Sequence, residues 1–245
     1  MMPRICTIGP FTIYSYGLLL VAAFVVAAFL AARRGRKDGF EPDEIFNFLF
    51  FVFIAGIIGC RILYVLDHWQ FYLQNPLEIF MLQHGGMAWF GGLILGSAAG
   101  LFYLKRKGLP VLKFLDLIIP FVALGQAIGR IGCFLNGCCY GKVSEFGVYF
   151  PSLDEVRLPT QIYSSLLLLA IFIILRIFQD KPHKPGMVLA GYFLLYSLKR
   201  FVIEFFRGDS PHILLNLTLF QLLSIGLFLF SICMFIVLGF SKVEK

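Results

Sequence analysis

Charge is scarce in this 245-residue chain: only 14% of its residues are Asp, Glu, Lys or Arg, while 59% are hydrophobic and 29 are Phe. A globule in water needs more polar surface than that, so a soluble fold is excluded. Histidine is also rare, with four in the whole chain and none near Cys133, Cys138 and Cys139. A closed four-ligand metal centre is therefore not expected, and neither is a cofactor. No repeat, low-complexity tract or separate soluble domain interrupts the chain. Without an inverted repeat or broken helices, a transporter is disfavoured. The net charge of +7 is spread over loops rather than clustered on an aqueous face, so it speaks for topology and anionic lipid, with no nucleic acid as partner.

What the chain has is apolar length. Runs that can span a bilayer, roughly 20 residues each, cover Ile13 to Ala32, Ile45 to Leu66, Met87 to Leu104, Val111 to Ile128, Ile162 to Phe178, Met187 to Phe206 and Leu217 to Phe240. They predict an all-α, polytopic membrane protein of about seven transmembrane helices in a single domain, residues 1–245. The first run is long for a signal peptide and is flanked by a basic stop-transfer cluster, so it reads as a permanent helix.

Basic residues set the orientation. Arg33, Arg34, Arg36 and Lys37, then Lys105, Arg106, Lys107 and Lys113, then Arg176, Lys181 and Lys184, and finally Lys242 and Lys245 mark the inner side. The segment from Asp67 to Gly86 has neither Lys nor Arg, which makes it outer. The amino terminus is then outside and the carboxyl terminus inside, and the loop at 140–161 forms a small outer cap.

Within this frame the ionisable residues inside apolar runs are expensive and call for a function. Arg61 lies near the outer end of the second run, Arg130 at the end of the fourth, and Arg200, Glu204 and Arg207 along one stripe of the sixth. A structural reading lets Glu204 clamp two arginines. It leaves the set short of anions, with Asp67 the other candidate counter-ion. A phospholipid head group fits, because guanidinium presents a planar, permanently charged fork to phosphate oxygens. Asp116, at the inner end of the fourth run, is expected to face the third loop, and His68, His84, His183 and His212 are expected to be solvated in loops. Asn136-Gly137 reads as a turn. The other glycines of the Gly129 block, Gly125, Gly129 and Gly132, suit close helix packing or close approach of a lipid, and a second set, Gly85-Gly86 and Gly91-Gly92, starts the third helix at the same face.

Five blocks carry a resemblance: Ser15-Tyr16-Gly17-Leu18, the Gly-Gly-Met-Ala-Trp-Phe-Gly-Gly stretch at 85–92, the segment from Gly129 to Gly141, Pro159-Thr160-Gln161-Ile162-Tyr163, and Arg200 through Glu204-Phe205-Phe206-Arg207. In that order, over nearly the whole chain, they resemble the phosphatidylglycerol:prolipoprotein diacylglyceryl transferase family. The resemblance implies an enzyme of the bacterial inner membrane that moves the diacylglyceryl group of phosphatidylglycerol to the lipobox cysteine in a prolipoprotein signal peptide, releasing glycerol phosphate. It implies catalytic roles for Arg130, Arg200 and Tyr16, and substrate-binding roles for Asn136, Gly141, Glu204 and Arg207; Arg61 joins the substrate-binding set from its charge inside an apolar run alone. Phosphatidylglycerol, signal peptides and membrane lipid are the implied partners, and no metal or cofactor is.

The chain departs from the family pattern where a thiol proton must move. Phe90 stands where some members place a His, Cys133 replaces an Asn, Cys138 an acid, Leu158 a His and Ser164 an acid. Tyr16 is then the first candidate for the proton and Glu204 the second. A silent member that binds anionic lipid or a signal peptide without turnover is the alternative. The cysteines read first as small packing residues, ahead of a redox-active Cys138-Cys139 pair.

Overall fold

The computed structural model describes residues 4–8, 11–81, 85–208, 211–214 and 216–240; His84, Lys242 and Lys245 lie outside them. Its helices are α1 (Ser15–Gly35), α2 (Pro42–Asp67), the short α3 (Trp69–Gln74), α4 (Trp89–Arg106), α5 (Val111–Asn136), α6 (Thr160–Gln179), α7 (Met187–Glu204) and α8 (Leu219–Phe240). By length and composition α1, α2, α5, α6 and α8 can cross a membrane, which makes the protein polytopic. The other two long helices are less apolar than the expected seven spans require. α4 contains four glycines and ends in Lys105-Arg106, and α7 carries Lys199, Arg200 and Glu204.

Local chemistry sets the helix ends. Arg33 and Arg34 occupy the last turn of α1, where they favour the carboxyl-terminal dipole. Gly39 turns the chain with φ 83°, and Pro42 opens α2 followed by Asp43 and Glu44. α5 runs about two turns past the predicted end at Ile128. Arg130 therefore lies inside a helix instead of at its end, and the helix stops only at Gly137, with φ 74°. Glycine in that last stretch is tolerated because it packs: a Cβ on Gly132 would lie 3.3 Å from the Tyr16 ring.

The chain divides into two compact units, residues 1–31 with 115–245, and residues 32–114. In the first, Ala123 and Ala127 of α5, Leu168, Ile171 and Leu175 of α6, and Val188 and Tyr192 of α7 form the apolar core. Polar side chains pin these helices: Ser165 donates to the Ala127 carbonyl at 2.8 Å and Tyr192 to Gln126 at 3.0 Å. Asp116 faces inward, against expectation. Its buried carboxylate accepts from the Gly186 and Leu189 N–H groups at 2.6 and 2.8 Å, capping α7. The His183 ring lies 3.7 Å from it, so this histidine is not simply solvated.

In the second unit α2 and α4 pack backbone to backbone. A Cβ on Gly59 or on Gly91 would strike the other's carbonyl, and one on Gly92 would lie 3.0 Å from the Gly56 carbonyl. Gly91 and Gly92 are thus packing residues. Gly85 and Gly86, each at φ 80°, are turn residues. Phe40 and Phe48 close edge-on against Phe114 at 5.1 and 4.9 Å between centroids.

The chain is not wholly helical. Among the described residues three antiparallel hairpins are present: β1 (Arg4–Ile8) with β2 (Phe11–Tyr14) ahead of α1, and, between helices, β3 (Val143–Phe150) with β4 (Glu155–Arg157) and β5 (His212–Leu214) with β6 (Leu217–Thr218). The expected cap loop is thus built around the β3–β4 hairpin, with Phe146 almost fully exposed.

Candidate functional site

The stripe read along the sixth run is helical only in part: Arg200 and Glu204 lie on α7, which ends at Glu204, and Arg207 follows beyond it in an isolated bridge with Gly141. Glu204, with a fully buried side chain, lies 3.1 Å from the Arg200 guanidinium and 3.9 Å from that of Arg207. Thr218 donates to its other oxygen at 3.1 Å. Arg200 also packs over the Phe220 ring, 4.2 Å from the centroid. The i, i+4 spacing read from sequence is what stacks Arg200 on Glu204. With both arginines and a hydroxyl on it, Glu204 is poorly placed to act as a base.

Arg130 comes from α5 and lies within electrostatic range of Arg200, Lys199, Tyr16, Cys133 and Cys139. Half-buried, it has no hydrogen bond, ion pair or ring partner among the described residues. Sequence reasoning missed Lys199. It is 5% exposed, sits 5.0 Å from the Tyr196 ring centroid and has Arg130, Arg200 and Arg207 for charged neighbours. Its position beside Arg200 inside an apolar run was the available signal. Tyr16 opens α1 and reaches this group through the gap left by Gly132.

Asn136 closes α5, and the turn after it carries Cys138 and Cys139. Its backbone is tied to the start of α6, where Gln161 donates to the Cys138 carbonyl at 2.7 Å and Thr160 to the Cys139 carbonyl at 2.9 Å. Cys139 adopts a left-handed conformation, φ 63°. The sulfurs of Cys133, Cys138 and Cys139 all lie within 4.8 Å of one another, a convergence the spacing alone did not reveal. Hydrogen bonds from the Cys133 and Cys138 thiols, and then the Arg130 and Arg207 guanidiniums, hold the Cys139 thiol well below the usual thiol range. Asn136 is exposed at the end of α5, its amide within hydrogen-bonding reach of the Cys138 sulfur.

Gly141 is locked by its backbone. Its N–H donates to the Leu158 carbonyl at 2.9 Å, its own carbonyl accepts from Arg157 at 3.2 Å, and it bridges Arg207 in antiparallel fashion. A Cβ there would lie 2.7 Å from the Phe206 carbonyl oxygen. Its visible work is to hold the Arg207 segment.

Arg61 belongs to the other unit and is not a free cation. Its guanidinium donates to the carbonyls of Ile79 (2.9 Å), Gly85 (2.6 Å), Gly86 (3.0 Å), Met81 (3.4 Å) and Glu78. The Tyr72 ring covers it, 5.3 Å away. Arg61 organises a loop, and its donors are spent before any phosphate arrives. A cavity of about 490 Å³ adjoins this loop, lined by Tyr64, His68, Tyr72 and Glu78 among others, and none of the α5 or α7 cations lines it.

The model of the prolipoprotein diacylglyceryl transferase family matches residues 3–237. The chain is 36% identical over 239 residues to the phosphatidylglycerol–prolipoprotein diacylglyceryl transferase of Enterococcus faecalis, covering 92% of this chain and 86% of that protein. It is 37% identical over 247 residues to the protein of the same name from Clostridium tetani, covering 95% and 98%.

Proposed function

The chain belongs to the prolipoprotein diacylglyceryl transferase family, and from that premise we propose how its own residues carry the reaction. The protein is a transferase of lipoprotein biosynthesis that uses phosphatidylglycerol and a prolipoprotein. The acceptor is the lipobox cysteine of the signal peptide. Its sulfur attacks the glyceryl carbon of the lipid, the bond from that carbon to the phosphate oxygen breaks, and a thioether and glycerol phosphate result. The thiol proton leaves through Tyr16, and the leaving phosphate gains negative charge as the bond breaks.

Preplaced cations are what this charge build-up requires. Arg130 is the observation that carries the reading: a half-buried guanidinium without a protein partner among the described residues, within electrostatic range of Arg200 and Lys199. A half-buried guanidinium with no hydrogen-bonded or ion-paired partner is costly to leave bare, and an anionic head group relieves it. Arg130 and Arg200 grip the phosphate. Glu204 fixes Arg200 and Arg207, while Asn136 and Gly141 shape the turn beside them. Arg61 serves by ordering its own loop.

The helix-flanking basic clusters at 33–37, 105–113 and 176–184 support an orientation with the amino terminus outside and the carboxyl terminus inside, and seven spans in which α4 and α7 cross as less apolar helices. A match over nearly the whole chain, residues 3–237, supports a single domain; in this reading that domain sits in the bacterial inner membrane and acts on lipid and signal peptide. Relatives named as transferases favour turnover over silent binding. The test is reconstitution: purified protein in phosphatidylglycerol vesicles, given a lipobox peptide, is expected to raise the peptide mass by one diacylglyceryl group. A mass that stays unchanged while an active relative modifies the same peptide would overturn the reading.

A further inference from the structure

We propose that Cys133, Cys138 and Cys139 form a three-sulfur site for one thiophilic d¹⁰ cation of the Zn²⁺ or Cu⁺ class. Their sulfurs already lie within 4.8 Å of one another. An ion with metal–sulfur bonds of about 2.3 Å sets neighbouring sulfurs about 4 Å apart, so closure takes side-chain rotation and not a rebuilt backbone.

The chain is shaped to present this set. Cys133 ends on the last turn of α5, and two left-handed residues, Gly137 at φ 74° and Cys139 at φ 63°, fold the following segment back. A side-chain-bearing residue in that conformation persists where its surroundings over-determine it. The surroundings are identifiable: buried Gln161 and Thr160 hold the Cys138 and Cys139 carbonyls, and the Cys138 N–H donates to the Cys133 carbonyl at 3.2 Å. The Cys138 thiol also donates to the Cys133 carbonyl at 3.7 Å, but the two carbonyls held by α6 anchor the turn, and a ligand meets a largely preorganised set. All three thiols are free and each is half-buried, shielded yet reachable by a small ion.

The donor chemistry selects the ion. Three sulfurs and no carboxylate suit soft cations and reject Mg²⁺ or Ca²⁺. Three thiolates around one Zn²⁺ carry a net charge of about −1, and Arg130 and Arg207 both lie within electrostatic range of Cys139 to balance it. With three protein ligands, a fourth coordination position stays open for water or another small donor. The site stands on its own geometry, whether or not the transfer reaction proceeds as described above.

The test uses the full-length protein in detergent, reduced and loaded with Co²⁺ or Zn²⁺, then desalted. One ion per chain is expected by elemental analysis, with sulfur-to-cobalt charge-transfer absorption in the Co²⁺ form. Cys133→Ser and Cys139→Ser should each weaken loading at least about 100-fold. Replacing Cys6, Cys60 and Cys233 together should leave loading unchanged, since these lie outside the cluster. In the wild-type protein, Zn²⁺ should also shield three thiols from maleimide labelling, a readout that needs no variant to fold. No stoichiometric ion in the reduced protein, or loading that survives Cys139→Ser, would overturn the proposal.

Discussion

Arg200 and Glu204 form an ion pair at 3.1 Å on successive turns of α7, with the carboxylate side chain fully buried. Glu204→Gln keeps the shape but leaves two guanidiniums without their shared anion. Breaking a buried pair from one side costs about 3 kcal/mol. The variant is expected to unfold at a lower temperature in detergent, with transfer activity falling in parallel. An unchanged melting temperature would contradict the clamp.

Arg200→Lys retains the charge and loses the planar fork. If Arg200 grips phosphate through paired donors while leaning on Phe220, kcat/KM for phosphatidylglycerol should fall at least about tenfold, with little change in melting temperature. Wild-type kinetics would show that a point charge suffices.

Two glycines separate packing from permissiveness. Gly141→Ala puts a methyl group 2.7 Å from the Phe206 carbonyl oxygen and 2.8 Å from the Leu158 Cβ. The Arg207 segment must then move, and activity is expected to fall about tenfold or more. Gly129→Ala meets nothing within 4 Å and should be neutral or stabilise α5 by up to about 1 kcal/mol. Equal effects in the two assays would refute the close-approach reading of Gly141.

Arg61→Ala strips the donors from the Glu78, Ile79, Met81, Gly85 and Gly86 carbonyls. That loop should be cleaved about tenfold faster in limited proteolysis, and Arg61→Lys should not restore protection, because one ammonium cannot span the same acceptors. Unchanged cleavage would return Arg61 to the pool of available cations.

Much of this was legible in the chain because helical periodicity and bilayer length are strong signals. Ile45 to Leu66 became Pro42–Asp67, and Leu217 to Phe240 became Leu219–Phe240. The α7 stripe could be read because i, i+4 geometry is local. What sequence hid depends on contacts between distant segments. α5 outran its predicted end because Gly132 packs on Tyr16, and packing converts a glycine from breaker to interface. The β3–β4 hairpin pairs mostly exposed residues, so no apolar alternation announced it. The convergence of three sulfurs needed a left-handed Cys139, which residue type does not encode. For Arg61 both a structural and a lipid-binding role stayed open, because the backbone carbonyls that engage it leave no mark in a sequence.

The central claim is that Arg130 and Arg200 act on one phosphate, and a double-mutant cycle on phosphatidylglycerol transfer to a lipobox peptide tests it most directly. Arg130→Ala and Arg200→Ala are each expected to lower kcat/KM by about 100-fold or more while remaining in the membrane. The double variant should be far less impaired than the product of the two, because groups that act as a unit are non-additive. Wild-type turnover in Arg130→Ala, or two losses that simply multiply, would contradict it.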